Sequence, residues 1–355
     1  MKILFIIILL SLTICIYAQN NTRWIDCKNV YINGKAFPDT ENNFSRVRDK
    51  DLKLLLTADG AYNRATNPAG LHIDFKTNSN NIHVKWSLDQ LRVEGYTNIN
   101  TQGGLDLYMW DKNYWKFLGN ASPFYPNLDN QIQIVDENYF TLYKNQEHLY
   151  SLNLPTHENV TALEIGIDEG ASFEVVKNLE KPIIIYGTSI THGACASRPG
   201  LNWPAQVRYR TGENVINWGF GGSGRLEKVA TDIICQTDPK IMVLEPFANM
   251  PTEFAKERLI YFYTKFREGH PVTPIVFIEQ QPIIHITTTQ KEPIEKNIIM
   301  RELFKEWSIS DKNIYKIKSE DTYSDQYTSD TIHPNDIGMS IMADNFIKVY
   351  KKIIK

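Results

Sequence analysis

The sequence predicts an α/β protein in which a doubly wound parallel sheet of five strands follows an antiparallel β-sandwich. Two observations predict it. Past Lys181-Pro182, short apolar runs alternate with segments of helical period, whereas the preceding stretch is filled by period-two runs between turn-forming clusters. A length of 355 residues suits two domains better than one. The change of period places the sandwich at 19–179 and the α/β domain at 180–355.

In chain order, Lys2 is followed by an apolar run from Ile3 to Tyr17 and then by Ala18-Gln19-Asn20. A basic start, an apolar stretch too short for the ~20 residues of a membrane span, and a small residue at the end describe a signal peptide over 1–18. The mature chain is then expected to be secreted or periplasmic, without a membrane partner. From about Val47 to Val176, Leu71–Phe75, Ile82–Trp86, Leu105–Trp110 and Ala162–Ile167 read as strands, with Asn78-Ser79-Asn80-Asn81 and Asp168-Glu169-Gly170 as breakers. In the second half, strands are expected at Ile183–Tyr186, Val215–Ile216, Ile241–Leu244, Ile275–Ile278 and Ile314–Ile317. Helices are expected at Trp203–Arg210, Leu226–Cys235, Glu253–Glu268, Ile294–Trp307 and Ile337–Tyr350. Strands alternating with helices build a parallel sheet covered on both faces, which binds ligands at the carboxyl ends of its strands.

Composition narrows the partners. A net charge of -3 gives no electrostatic reason to expect nucleic acid or an anionic membrane. Seven Trp and eighteen Tyr are generous enough for sugar stacking, although most are expected in the core. Beyond Cys15, the chain keeps Cys27, Cys195 and Cys235, an odd set compatible with one disulfide or none. No Cys/His spacing resembles a metal site, and His148 and His157 are assigned to the surface as isolated residues. Oligomeric state is not legible.

Chemistry concentrates in the turns after the parallel strands. Gly187-Thr188-Ser189-Ile190-Thr191 follows the first strand; Ser189 there is either a nucleophile or a helix N-cap. The glycine-rich turn after the second strand, Asn217 to Gly224, lets the backbone approach a ligand and offers Gly222 N–H to an oxyanion. A phosphate cradle is the alternative, but no G-K-[ST] follows. Asn249, after the third strand, is a side-chain oxyanion donor or a turn residue, and Glu245 is a supporting carboxylate or a strand-end charge. Asp330-Thr331-Ile332-His333 precedes the last helix, with the carboxylate spaced to hold His333 Nδ1 and leave Nε2 for the serine proton.

The ordered set Ser189, Gly222, Asn249 and Asp330/His333 resembles the four blocks of the SGNH (GDSL-like) hydrolases, whose catalytic domain is flavodoxin-like. The string from Tyr186 to Gly200, Y-G-T-S-I-T-H-G-A-C-A-S-R-P-G, is similar to the signature of a bacterial branch with an N-terminal β-sandwich marked G-x-D-L-Y. Gly104-Leu105-Asp106-Leu107-Tyr108 fits that mark. Thr188 replaces the Asp of the G-D-S string, as the branch does generally, and Glu245 stands where it often shows Asp.

The resemblance implies a Ser189–His333–Asp330 triad, an oxyanion hole from Ser189, Gly222 and Asn249, and no metal or organic cofactor. It implies a carboxylic-ester hydrolase acting on short acyl groups, acetyl foremost, on a small-molecule or polysaccharide ester. The sandwich is expected either to line the active site or to bind glycan. The alternatives are a non-catalytic glycan-binding protein on this scaffold and an esterase or lipase for non-carbohydrate esters.

Overall fold

The computed structural model describes residues 21–58, 62–92, 94–123, 129–136, 144–281 and 291–355. The signal-peptide segment, 1–18, lies outside them. Among the described residues no helix is long and apolar enough to cross a membrane.

The first half is two antiparallel sheets face to face. Its elements are β1 (Thr22–Asp26), α1 (Asp49–Leu55), β2 (His72–Thr77), β3 (Ile82–Leu88), α2 (Ile99–Gly103), β4 (Leu105–Asp111), β5 (Tyr114–Ala121), β6 (Asp129–Val135), β7 (His148–Asn153), β8 (Val160–Asp168) and β9 (Glu174–Val176). One sheet runs β1-β8-β3-β6, the other β5-β4-β7-β2-β9. The alternation read in the sequence is what closes them. Leu71, Ile73 and Phe75 alternate inward against Ile82, Val84 and Trp86 from the opposite sheet, and all six are buried in one core. Two helices interrupt the stretch expected to be strands only. The first, α1, carries Asp49 and Asp51 in its first turn and Lys53 in its last, charges that suit the helix dipole.

The second half is β10 (Ile183–Gly187), α3 (Ser189–His192), α4 (Trp203–Thr211), β11 (Val215–Gly219), α5 (Lys228–Ile234), β12 (Ile241–Glu245), α6 (Thr252–Gly269), β13 (Ile275–Ile278), α7 (Lys291–Trp307), β14 (Ile314–Ile317) and α8 (Asp336–Ile353). The five parallel strands are ordered β11-β10-β12-β13-β14, the flavodoxin-like order. Successive strand residues serve opposite faces. Ile184, Tyr186, Met242 and Leu244 pack with α5, α6 and α7, while Ile183, Ile185, Ile241 and Val243 pack with α4 and α8. Both faces are thereby covered, which is why the strands are largely apolar.

The halves are joined by polar contacts as well as apolar ones. Phe37, Val47, Leu55, Tyr62 and Ala65 from the first half belong to the α5–α7 core of the second. Fully buried Arg46 donates through Nη1 to the carbonyls of Asn217 (3.1 Å) and Gly219 (2.8 Å) at the end of β11. Elsewhere, buried Asp106 accepts from Gly200 N (2.8 Å) and Asn153 Nδ2 (2.6 Å). A Cβ on Gly200 would run into the Tyr108 ring. The Gly104–Tyr108 string and the Cys195–Gly200 string therefore face each other across one contact. Neither reveals this alone.

Candidate active site

Strand order brings the turns together. β10 lies between β11 and β12, with Gly187 in register with Gly219 on one side and Glu245 on the other. The chain leaves these neighbouring ends in different directions, and the crevice between them is where open α/β sheets hold ligands.

Ser189 opens α3, but Thr188 is the N-cap, its hydroxyl oxygen accepting from Ile190 N at 3.4 Å. Ser189 Oγ is thereby left for another partner, and it lies 2.8 Å from His333 Nε2. His333 Nδ1 is 2.7 Å from Asp330 Oδ2, and Asp330 Oδ1 accepts from His333 N (2.7 Å) and Ile332 N (3.1 Å). This tight loop needs Thr331 at φ 72°, a left-handed conformation unfavourable for a β-branched residue. Helix α8 is capped by Asn335, accepting from Ile337 N at 3.0 Å, so the cap role open to Asp330 is taken. Burial pushes the Asp330 carboxyl up, but the His333 and Ile332 N–H groups and the imidazole outweigh it, holding the group below the usual range.

The other predicted residues meet at the same place. Ser189, Gly222, Asn249 and His333 line one pocket of about 350 Å³. Gly222 adopts φ 76°, which glycine tolerates freely. Asn249 Nδ2 donates to Ser223 O at 2.7 Å, fastening its loop to the Gly222 turn and leaving its second hydrogen for a ligand. Ser189 N–H heads its helix and has no acceptor within it. Three donors thus stand beside a hydroxyl paired with an imidazole, an arrangement that can hold an oxyanion while that hydroxyl attacks.

Glu245 is a support for the serine turn and does not reach His333. Its carboxylate accepts from Thr188 N (3.2 Å), Thr188 Oγ1 (2.9 Å) and Thr191 Oγ1 (3.0 Å). Burial pushes its pKa up to about 7, against the pull of those donors. A carboxyl raised on folding is favoured protonated, so its contribution to stability is full below about 4.5 and is lost as pH rises through about 7. The loss is on the order of 3 kcal/mol. Glu245→Gln should therefore show a smaller fall in Tm between pH 5 and pH 8 than the unmodified protein. Parallel Tm curves would refute this.

The first half supplies a wall that the sequence did not disclose: Arg64, Tyr96 and His157. The Tyr96 ring stacks on the His333 imidazole, centroids 5.3 Å apart and 10° from parallel. Its carbonyl accepts from Cys195 Sγ at 2.8 Å. Arg64 pairs with Glu94 through Nη1 and Nη2 of its guanidinium. His157 is not on the surface as expected but 4% exposed, and His148 is half-buried on β7. His157 stacks on buried His192, which accepts from Gly221 N (3.1 Å) through Nδ1 and reaches Thr156 O (2.5 Å) through Nε2. The turn that carries Gly222 is thus tied to the first half. No local pattern marks these residues, because long-range packing alone assembles them.

Cys195 Sγ comes within 4.8 Å of ligand atoms of Asp330 and His333, a grouping that could be taken for a metal site. Its donors are already committed: both imidazole nitrogens are engaged by Ser189 and Asp330, and burial pushes the thiol up to about 12. Cys27, Cys195 and Cys235 are all free thiols.

Comparison with known proteins identifies both halves of the chain. The GDSL-like lipase/acylhydrolase family matches residues 180–353, and the N-terminus of the SGNH-hydrolase-type esterases, GxDLY, matches 22–173. The structure of a GDSL-like lipase from Bacteroides ovatus ATCC 8483 is similar at 29% identity and a TM-score of 0.85, over 94% of this chain and 98% of that one. The salicylyl-acyltransferase SsfX3 from a tetracycline biosynthetic pathway shares the fold at 16% identity and a TM-score of 0.72, over 94% and 97%. A family two carbohydrate esterase from Clostridium thermocellum, in complex with cellohexaose, shares it at 12% identity and a TM-score of 0.55, over 81% and 96%. No curated protein matches. Matched in both halves, the chain belongs to the SGNH (GDSL-like) hydrolase family, in the two-domain branch with an N-terminal GxDLY domain.

Proposed function

We propose that this protein is a secreted serine esterase that removes short acyl groups, acetyl foremost, from carbohydrate alcohols. The observation that carries the reading is the unbroken relay from Ser189 Oγ through His333 to Asp330, opening on the pocket lined by Gly222 and Asn249. Ser189 attacks the ester carbonyl and passes its proton to His333 Nε2, while Asp330 holds the imidazole in the tautomer with hydrogen on Nδ1. Ser189 N–H, Gly222 N–H and Asn249 Nδ2 receive the oxyanion. His333 then protonates the leaving alcohol, and water activated by the same imidazole releases the acyl group. Every step uses side chains and backbone of this chain.

The finer parts of the reading have their own support. A pocket of about 350 Å³ with Arg64, His157 and Asn249 in its wall suits a small acyl group and a polar alcohol better than a fatty chain. The fold shared with a carbohydrate esterase that binds cellohexaose points the same way. Export is supported by the basic start and apolar run of residues 2–18. Acetate release from a panel of acetylated polysaccharides, measured beside p-nitrophenyl acetate turnover, tests the reading. Release from at least one polysaccharide is expected. Glycan binding without turnover of any ester would return a non-catalytic binding protein, and a preference for long-chain esters would return a lipase.

A further inference from the structure

The pocket wall supplied by the first half holds an imidazole whose protonation is fixed by its neighbours. His157 lines the pocket that contains Ser189 and stacks on His192, centroids 4.4 Å apart and 12° from parallel. Its Nδ1 lies 2.5 Å from Thr156 Oγ1. That hydroxyl also stands 2.9 Å from the Thr101 carbonyl oxygen, which can only accept, so the Thr156 proton is committed to Thr101. The hydrogen between Thr156 and His157 must then belong to the imidazole, on Nδ1. Burial, with the nearby Arg64 charge adding to it, pushes the His157 pKa down to about 3, and the ring carries a single proton at neutral pH.

Nε2 of His157 is consequently a lone pair. It has no partner among the described residues and is not sealed from solvent, and the pocket is the space on which the residue opens. Of the groups around it, the Arg64 guanidinium and the Gly222 and Asn249 N–H groups are donors, and both imidazole nitrogens of His333 are already engaged. Tyr96, 41% exposed, adds an apolar ring to the same wall. A fixed acceptor among donors and beside an aromatic surface selects a ligand that brings its own O–H.

We propose that His157 Nε2 accepts a hydrogen bond from a free hydroxyl on the alcohol half of the ester, making the site selective for esters of polyhydroxy alcohols such as pyranosides. This rests on the esterase reading above. His157 is a specificity-determining residue here, distinct from the Ser189–His333–Asp330 relay. Thr156, which touches no substrate, positions it by fixing the tautomer.

The test compares kcat/KM for a monoacetylated methyl pyranoside with its counterparts lacking one hydroxyl, with p-nitrophenyl acetate as reference. For the counterpart that removes the donor, a preference of about 10- to 100-fold for the hydroxylated ester is expected. His157→Phe keeps a ring on His192 without the acceptor, and the ratio should fall to within about threefold of one. Thr156→Val keeps the imidazole and releases the tautomer; its ratio should fall too, and it serves should the Phe variant not fold. Nitrogen-15 NMR of the intact protein should show His157 protonated on Nδ1 and bare on Nε2. Turnover of p-nitrophenyl acetate with ratios near one for every counterpart, an undiminished ratio in His157→Phe, or a proton on Nε2 would overturn the subsite alone. No turnover of any ester would overturn the esterase reading and the subsite with it.

Discussion

Ser189→Ala is expected to lower kcat for p-nitrophenyl acetate by about 10⁵- to 10⁶-fold, leaving a slow residual rate. The hydroxyl lost is the one 2.8 Å from His333 Nε2, and among the described residues the Tyr96 phenol is the one other hydroxyl in the pocket lining. Tyr96 presents its ring to His333, and Cys195 spends its thiol hydrogen on the Tyr96 carbonyl. Folding should be little affected, because the α3 cap is Thr188 and the Glu245 contacts go to Thr188 and Thr191. Unaltered far-ultraviolet circular dichroism with the loss of turnover would locate the defect in the chemistry. Equal rates for the two proteins would remove Ser189 as nucleophile.

Asp330→Asn is expected to cost about 10⁴-fold in kcat with little change in KM. An amide at 330 can donate to Nδ1, which would leave the hydrogen on Nε2, where it faces Ser189 and cannot take a proton. The carboxylate's pKa lies below its ordinary value, so its stabilising contribution is present above about 3.8 and is lost only as pH falls through that lowered value. It therefore stays ionised at neutral pH and goes on orienting the imidazole there. Near-normal activity in this variant would leave the imidazole without an orienting group, since Glu245 is occupied beneath the serine turn.

The frame was largely legible. Buried parallel strands are apolar because both faces are covered, so Ile275–Ile278 and Ile314–Ile317 stand out and have the bounds expected of them. From sequence β11 reads short, as Val215–Ile216, because Asn217 and Gly219 break the apolar run. The strand continues since buried Arg46 satisfies the carbonyls of those two residues. In the first half β1 carries no signal in the sequence and the α1 and α2 segments read as strand territory, because short elements leave little periodicity. The strings that meet in the candidate site stand out for a different reason. Each sits in one turn, and their order along an alternating chain places them at one sheet edge. Tyr96, Arg64 and His157 come from connections in the other half, where position depends on packing between domains and leaves no local trace.

The contact of Asp106 with Gly200 has a consequence for reading other chains. The two signature strings, nearly a hundred residues apart in sequence, are the two sides of one joint, and neither retains its reason without the other. Loss of the aspartate would leave the Gly200 N–H without its buried acceptor, and a side chain at Gly200 would meet the Tyr108 ring. Inheritance of the strings should therefore be coupled. A chain that keeps the loop but has shed the sandwich should relax its S-R-P-G segment first, and that decay would mark, from sequence alone, where the partnership has dissolved.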